Sequence, residues 1–183
     1  PFNTSDLDDW LYDVFEGLSI SKAVVIGASL GGWLAAKFAI RYPGKIDKLV
    51  LLCPAGIGTQ NKNFIFTALF HMLFGEKGIR RLFKIINGNV EMPEKILKFQ
   101  ILIGKNFNTR KEPIPIFSDD DIRHLTMPVF LFVGAKDIML HSLETADRLR
   151  KLVPNARINI LPECGHSIIN VTDMIFEQIN EKG

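Results

Sequence analysis

The stretch Val24-Val25-Ile26-Gly27-Ala28-Ser29-Leu30-Gly31-Gly32-Trp33-Leu34-Ala35-Ala36 constrains this chain more than any other. A β-branched apolar run ends in G-x-S-x-G, and a helix rich in small residues starts at once. A serine on so sharp a strand-to-helix turn is held at strained backbone angles, with its hydroxyl projecting beyond the sheet. Gly27 and Gly31 flank it at positions where strand and helix are expected to pass too close for side chains. Gly32, Ala35, Ala36 and Ala39 extend the theme, letting the helix lie close on the sheet. The helix start also turns unpaired amides and a positive dipole end toward the serine. A dinucleotide-binding reading fails, because G-x-G-x-x-G needs glycine where Ser29 stands.

This stretch resembles the nucleophile elbow of the α/β-hydrolase superfamily, in its motif and in its setting of strand before and helix after. A length of 183 residues suits one core with an insertion. With 47% hydrophobic and 23% charged residues the composition is globular, and a net charge of +2 gives no case for nucleic acid. No apolar run is long enough to span a bilayer. Two cysteines, Cys53 and Cys164, imply no disulfide framework and favour a reducing compartment, so the cytoplasm is the expected location. The chain begins at Pro1 and not at methionine, which leaves room for a removed leader and hence for secretion.

Along the chain, acidic residues Asp6, Asp8 and Asp9 after Ser5 suit a helix start, and Leu7, Leu11, Val14, Phe15 and Leu18 recur at helical spacing. Strands are expected near residues 23–27, 46–53, 128–133 and 157–161, separated by helical patterns. That alternation predicts an α/β chain with a parallel sheet, right-handed crossovers and flanking helices. Residues 57–118 differ in character. They hold eight of the 14 phenylalanines, and ten Lys and Arg against four acids give them +6, leaving −4 on the rest. Apolar stripes at helical spacing there include Phe64, Phe66, Leu69, Phe70, Leu73 and Phe74, then Ile79, Leu82, Phe83 and Ile86, then Ile96, Leu97, Phe99, Ile101 and Leu102. The segment reads as a helical insertion between two core portions, residues 1–56 and 119–183. Its aromatic residues form either its own core or a pocket lining, and its lysines a solvated face.

In parallel α/β folds functional residues lie just beyond the carboxyl ends of strands. Ser29, Asp137 and His166 each follow a different expected strand, in the order serine, acid, histidine. A serine hydroxyl needs a base near neutral pH, a histidine supplies one, and a carboxylate fixes the histidine tautomer. Asp119, Asp120 and Asp121 compete for the acid role but precede a strand and suit a helix start. His71, His124 and His141 lack a strand-end setting. No cluster has metal-ligand spacing, so neither metal nor cofactor is expected.

The resemblance covers nearly the whole chain and has further implications. Residues 57–118 stand where the family carries a cap over its active site. Val133-Gly134-Ala135-Lys136-Asp137 and Cys164-Gly165-His166 look like its acid and histidine loops, and the Leu30 N–H matches one oxyanion-hole donor. The family has further strands before the elbow, with a loop supplying a second donor, so this chain looks like the carboxyl-terminal portion of such an enzyme. The elbow strand would then leave an open sheet edge, a route to self-association. The implied activity is hydrolysis of a small apolar carboxylic ester through an acyl-enzyme, with carbon–carbon bond hydrolysis by the same triad as the nearest alternative. Dehalogenase and epoxide-hydrolase chemistry needs an aspartate where Ser29 stands. A non-catalytic scaffold holding a hydrophobic ligand is the reading from another class, and the complete Ser29, Asp137 and His166 set argues against it.

Overall fold

A computed structural model describes residues 6–88, 93–106 and 112–181. Ser5, the expected first helix cap, and Asn89, Phe107 and Arg110 of the insertion lie outside the described residues. Helix α1 spans Asp6–Gly17, strand β1 Ala23–Ala28, helix α2 Leu30–Arg41 and strand β2 Ile46–Leu52. Helices α3 (Asn63–Met72), α4 (Gly75–Ile86) and α5 (Glu94–Asn106) follow, then a short α6 (Asp119–Arg123). Strand β3 (Val129–Gly134), helix α7 (Ser142–Leu152), strand β4 (Arg157–Leu161) and helix α8 (Thr172–Asn180) complete the described chain.

The four strands form one parallel sheet in the order β1-β2-β3-β4. Alternation along each strand divides its side chains between two faces. Leu49 and Leu51 of β2 and Val129, Leu131 and Val133 of β3 point into the main core, against Phe15, Ala35, Ala36, Phe38, Ala39, Ala146 and Leu149 from α1, α2 and α7. Val50, Phe130 and Phe132 point the other way, onto Val171 and Ile175 around the start of α8. Every residue of β3 is buried, which explains its uninterrupted apolar sequence. The second face is not covered at β1: Val24 and Ile26 are 39% and 52% exposed. Among the described residues β1 pairs only with β2, so one side of it is an open sheet edge.

Asp8, read from sequence only as a helix-start charge, is buried and faces Lys37 at 3.3 Å and Arg41 at 3.6 Å. The aspartate run at 119–121 forms a helix start as expected. Ser118 caps it through a capping box in which Ser118 Oγ accepts from Asp121 N–H and the Asp121 carboxylate accepts from Ser118 N–H.

Residues 57–118 leave and re-enter the sheet layer at one place. Phe117 N–H donates to Gly56 C=O (2.8 Å), and the buried Trp33 donates its indole N–H to Pro115 C=O (3.0 Å). Between these anchors the three expected helical stripes are three helices. Their aromatic residues make no core of their own: no described phenylalanine of the segment is buried. Helix α3 buries no residue, with Phe66 at 72% exposure, and Leu73 just after it is 82% exposed. Apolar residues run all round this helix, so whatever single face it packs, the others stay outward. The segment's internal packing falls to Leu82 and Ile86 of α4 and Ile101 of α5.

Candidate functional site

Three strand ends meet at the carboxyl edge of the sheet, and the ladder hydrogen bonds run on past the strands. Ser29 N–H donates to Leu52 C=O (2.9 Å), Cys53 N–H to Phe132 C=O (2.8 Å) and Ala135 N–H to Leu161 C=O (2.9 Å). The loops that follow therefore start in register with one another.

Ser29 lies between β1 and α2 with φ +51°, a left-handed value that few non-glycine residues adopt. It occupies the position preceding α2 where serine ordinarily caps a helix, yet its side chain makes no cap hydrogen bond. The hydroxyl is instead directed across the sheet edge. The turn needs glycine at two places. A Cβ on Gly27 would overlap the Gly31 carbonyl and lie 2.8 Å from Gly32 Cα, and one on Gly32 would lie 2.9 Å from Pro54 Cβ. The expectation for Gly31 is corrected here: a Cβ there meets nothing within 4 Å, because this residue faces away from the sheet and contributes to the crowding only through its carbonyl.

Asp137 lies in the loop after β3, with its side chain fully buried. One carboxylate oxygen, Oδ1, accepts from Met139 N–H (2.7 Å) and Leu140 N–H (3.1 Å). The other, Oδ2, lies 2.8 Å from His166 Nδ1. Two backbone donors on one oxygen leave the second aimed at the imidazole. His166, in the loop after β4, has its Nε2 2.9 Å from Ser29 Oγ. The three residues picked from sequence thus form one continuous hydrogen-bonded line. The carboxylate can only accept, so Nδ1 carries the proton toward it, and Nε2 is left as the acceptor for the serine hydroxyl.

The competing residues are engaged elsewhere. Asp119 pairs with Arg148, whose guanidinium holds its carboxyl below the usual range. Asp120 pairs with Arg123, and Asp121 closes the capping box. His71 and His124 bond through Nδ1 to carbonyls one turn back, Thr67 O and Asp120 O. His141 lies before α7, its N–H donating to Thr59 C=O. Leu30, proposed through its N–H, is the first residue of α2, where a backbone donor has no partner within the helix.

Nothing in the sequence reading connected Cys53 to this site. It follows β2 at φ +41°, is buried, and its Sγ lies 3.8 Å from Gly165 O. With Asp137 and His166 it forms a cluster of three metal-capable side chains whose donor atoms lie within 4.8 Å of one another. Burial, reinforced by the Asp137 carboxylate, pushes the thiol up to about 12. Its signal in the sequence was its position: Cys53 is the first residue past a strand, in the same layer as the other three loops.

A parallel sheet flanked by helices, with serine, aspartate and histidine after β1, β3 and β4 in that order, is the arrangement of the α/β-hydrolase fold. Residues 1–72 match the sequence profile of the α/β hydrolase fold family, and the chain has that fold. It is 25% identical over 170 residues to carboxylesterase YbfK of Bacillus subtilis, a match covering 88% of this chain and 57% of that protein. It is 26% identical over 174 residues to the 2-hydroxy-6-oxononadienedioate/2-hydroxy-6-oxononatrienedioate hydrolase of Comamonas testosteroni, covering 81% of this chain and 58% of that one. The crystal structure of the Bacillus subtilis carboxylesterase CesB (YbfK) superposes with a TM-score of 0.78 at 24% identity, over 96% of this chain and 64% of that one. The chain thus spans little more than half the length of the curated relatives it matches.

Proposed function

We propose that the protein containing this chain is a serine hydrolase that cleaves a small apolar carboxylic ester through an acyl-enzyme. The observation that carries this reading is the line from Asp137 Oδ2 to His166 Nδ1 (2.8 Å) and from His166 Nε2 to Ser29 Oγ (2.9 Å). In the proposed reaction Ser29 Oγ attacks the ester carbonyl carbon while His166 Nε2 takes its proton. Asp137, held by the Met139 and Leu140 amides, stabilises the imidazolium without itself becoming protonated. The Leu30 N–H donates to the developing oxyanion, aided by the start of α2. The imidazolium then protonates the departing alkoxide. Water enters, loses its proton to His166, and attacks the acyl carbon, and Ser29 leaves with that proton. Residues 57–118 act as a cap over the elbow. Their helical character and the contact of the α4 end with the His166 loop, through Ile86 O and His166 N (2.7 Å), support that assignment.

The test is covalent labelling by a fluorophosphonate together with turnover of p-nitrophenyl esters of graded chain length. Parent protein should label, Ser29→Ala should not, and its turnover should fall by several powers of ten, on the order of the 10⁶ lost with a serine nucleophile. Asp137→Asn should cost less than Ser29→Ala or His166→Ala. A Ser29→Ala protein that turned esters over at the parental rate would end the proposal, and a parent that neither labels nor turns over would point to a binding scaffold. The Comamonas testosteroni relative, named as a hydrolase of a 2-hydroxy-6-oxo dienedioate, supports a second reading in which the same three residues hydrolyse a carbon–carbon bond. Preference for a vinylogous 1,5-diketone over every ester tested would favour it.

A further inference from the structure

Three elements hold the loop that carries His166, and one of them is the helical segment. From the sheet side, Lys136 N–H donates to Cys164 C=O (2.9 Å), and Cys53 Sγ lies 3.8 Å from Gly165 O. From the opposite side, His166 N–H donates to the carbonyl of Ile86 at 2.7 Å, a backbone bond that joins residues far apart in the chain. Ile86 is the last residue of α4, and a carbonyl there has no acceptor role left within its own helix. The helix is stopped so that this carbonyl faces outward. Asn87 N–H closes back on Phe83 C=O (3.0 Å), Gly88 N–H on Ile85 C=O (3.0 Å), and Gly88 turns the chain at φ +71°.

The fit is backbone on backbone. A Cβ on Gly88 would lie 2.6 Å from Gly165 N and 3.0 Å from the Cys164 carbonyl carbon. A Cβ on Gly165 would lie 2.6 Å from the Asn87 carbonyl carbon and overlap Ile86 O. Ile86, Asn87, Gly88 and Gly165 are all buried. Nothing in this contact can yield by a rotamer change, so the position of the α4 end sets the position of the loop.

We infer that the end of α4 and the turn after it, Ile86-Asn87-Gly88, form a positioning element for His166, through which the helical segment sets the imidazole against Ser29 and Asp137. The inference rests on the proposed role of His166 as the base. Gly88 is its key residue because only a residue without Cβ brings the two backbones close enough for the Ile86–His166 bond. Displacing the imidazole by about 1 Å is enough to lower kcat by about 10²-fold while substrate binding by other surfaces persists.

The experiment compares two alanine substitutions in the full-length protein. Gly75, at the start of α4, also has a positive φ of +57°, but a Cβ there meets nothing within 4 Å. Gly75→Ala therefore carries the same kind of conformational cost without touching the histidine loop. The expected result is that Gly88→Ala lowers kcat for a p-nitrophenyl ester about 10²-fold with KM nearly unchanged, whereas Gly75→Ala keeps parental kcat at a similar loss of Tm. The proton NMR resonance of the His166 Nδ1–H, shared with Asp137, should move or broaden in Gly88→Ala and stay in place in Gly75→Ala. Both variants are assayed below the Tm of the less stable one, and a Gly88→Ala that folds at no temperature while Gly75→Ala folds normally overturns the inference, since the contact is then purely structural. Parental kcat in the Gly88 variant, or an equal fall in both variants, overturns the inference. Persistent turnover by Ser29→Ala would instead overturn the catalytic reading itself, so the two failures are distinguishable.

Discussion

At the scale of single residues, the turn around Ser29 shows how little of a glycine pattern is needed for its geometry. Gly27 and Gly31 occupy symmetrical places in G-x-S-x-G, yet only Gly27 is crowded, because a strand residue points at the helix while an early helix residue can point away from the strand. Gly27→Ala should therefore destabilise the protein by about 1–3 kcal/mol, the usual cost of forcing atoms into a packed site. Gly31→Ala should be neutral or stabilising by up to about 1 kcal/mol, since alanine is the better helix former. Denaturant midpoints of the two variants check this, and equal losses would contradict it. At Asp137 a different economy operates: one oxygen is saturated by backbone amides and the other is left for His166.

At the scale of elements, α3 is the outlier. A helix with no buried residue and five large apolar side chains exposed, from Ile65 to Met72, with Leu73 and Phe74 exposed just beyond it, contributes little to folding and presents a surface that water covers poorly. Phe66→Ser and Leu73→Ser should each change stability by no more than about 0.5 kcal/mol, as surface substitutions do. Both should reduce any concentration-dependent association seen by sedimentation velocity. Loss of fold in either variant would show that α3 is packed in solution. Helix α4 is the opposite case, tied at its end to the histidine loop, and substitution of its glycines separates that tie from ordinary helix stability.

At the scale of the whole molecule, the open edge of β1 and the exposed Val24 and Ile26 beside it make one further expectation. Unpaired amides and carbonyls beside apolar side chains favour association. We expect the 183-residue chain to associate in a concentration-dependent way. Sedimentation velocity checks this, and a clean monomer at all concentrations would refute it. No helix among the described residues is long and apolar enough to cross a membrane.

The sequence by itself determined the strands, the main helices and the strand-end positions of Ser29, Asp137 and His166. Apolar runs, small-residue helices and strand-end positions are local signals, and a parallel sheet brings its carboxyl ends together whatever the details. Only the tertiary structure decided which glycines are crowded, that Asp8 is buried against Lys37, and that Cys53 lies beside Asp137. It also decided that Phe66 and Phe70 of α3 and Phe99 of α5 face outward, and that Ile86 and Gly88 lie against the His166 loop. Each of these depends on which backbone lies against which other at a distance in the chain. Periodicity reports the face of an element but not what meets it, and a backbone-to-backbone contact leaves no trace in side-chain pattern beyond a glycine.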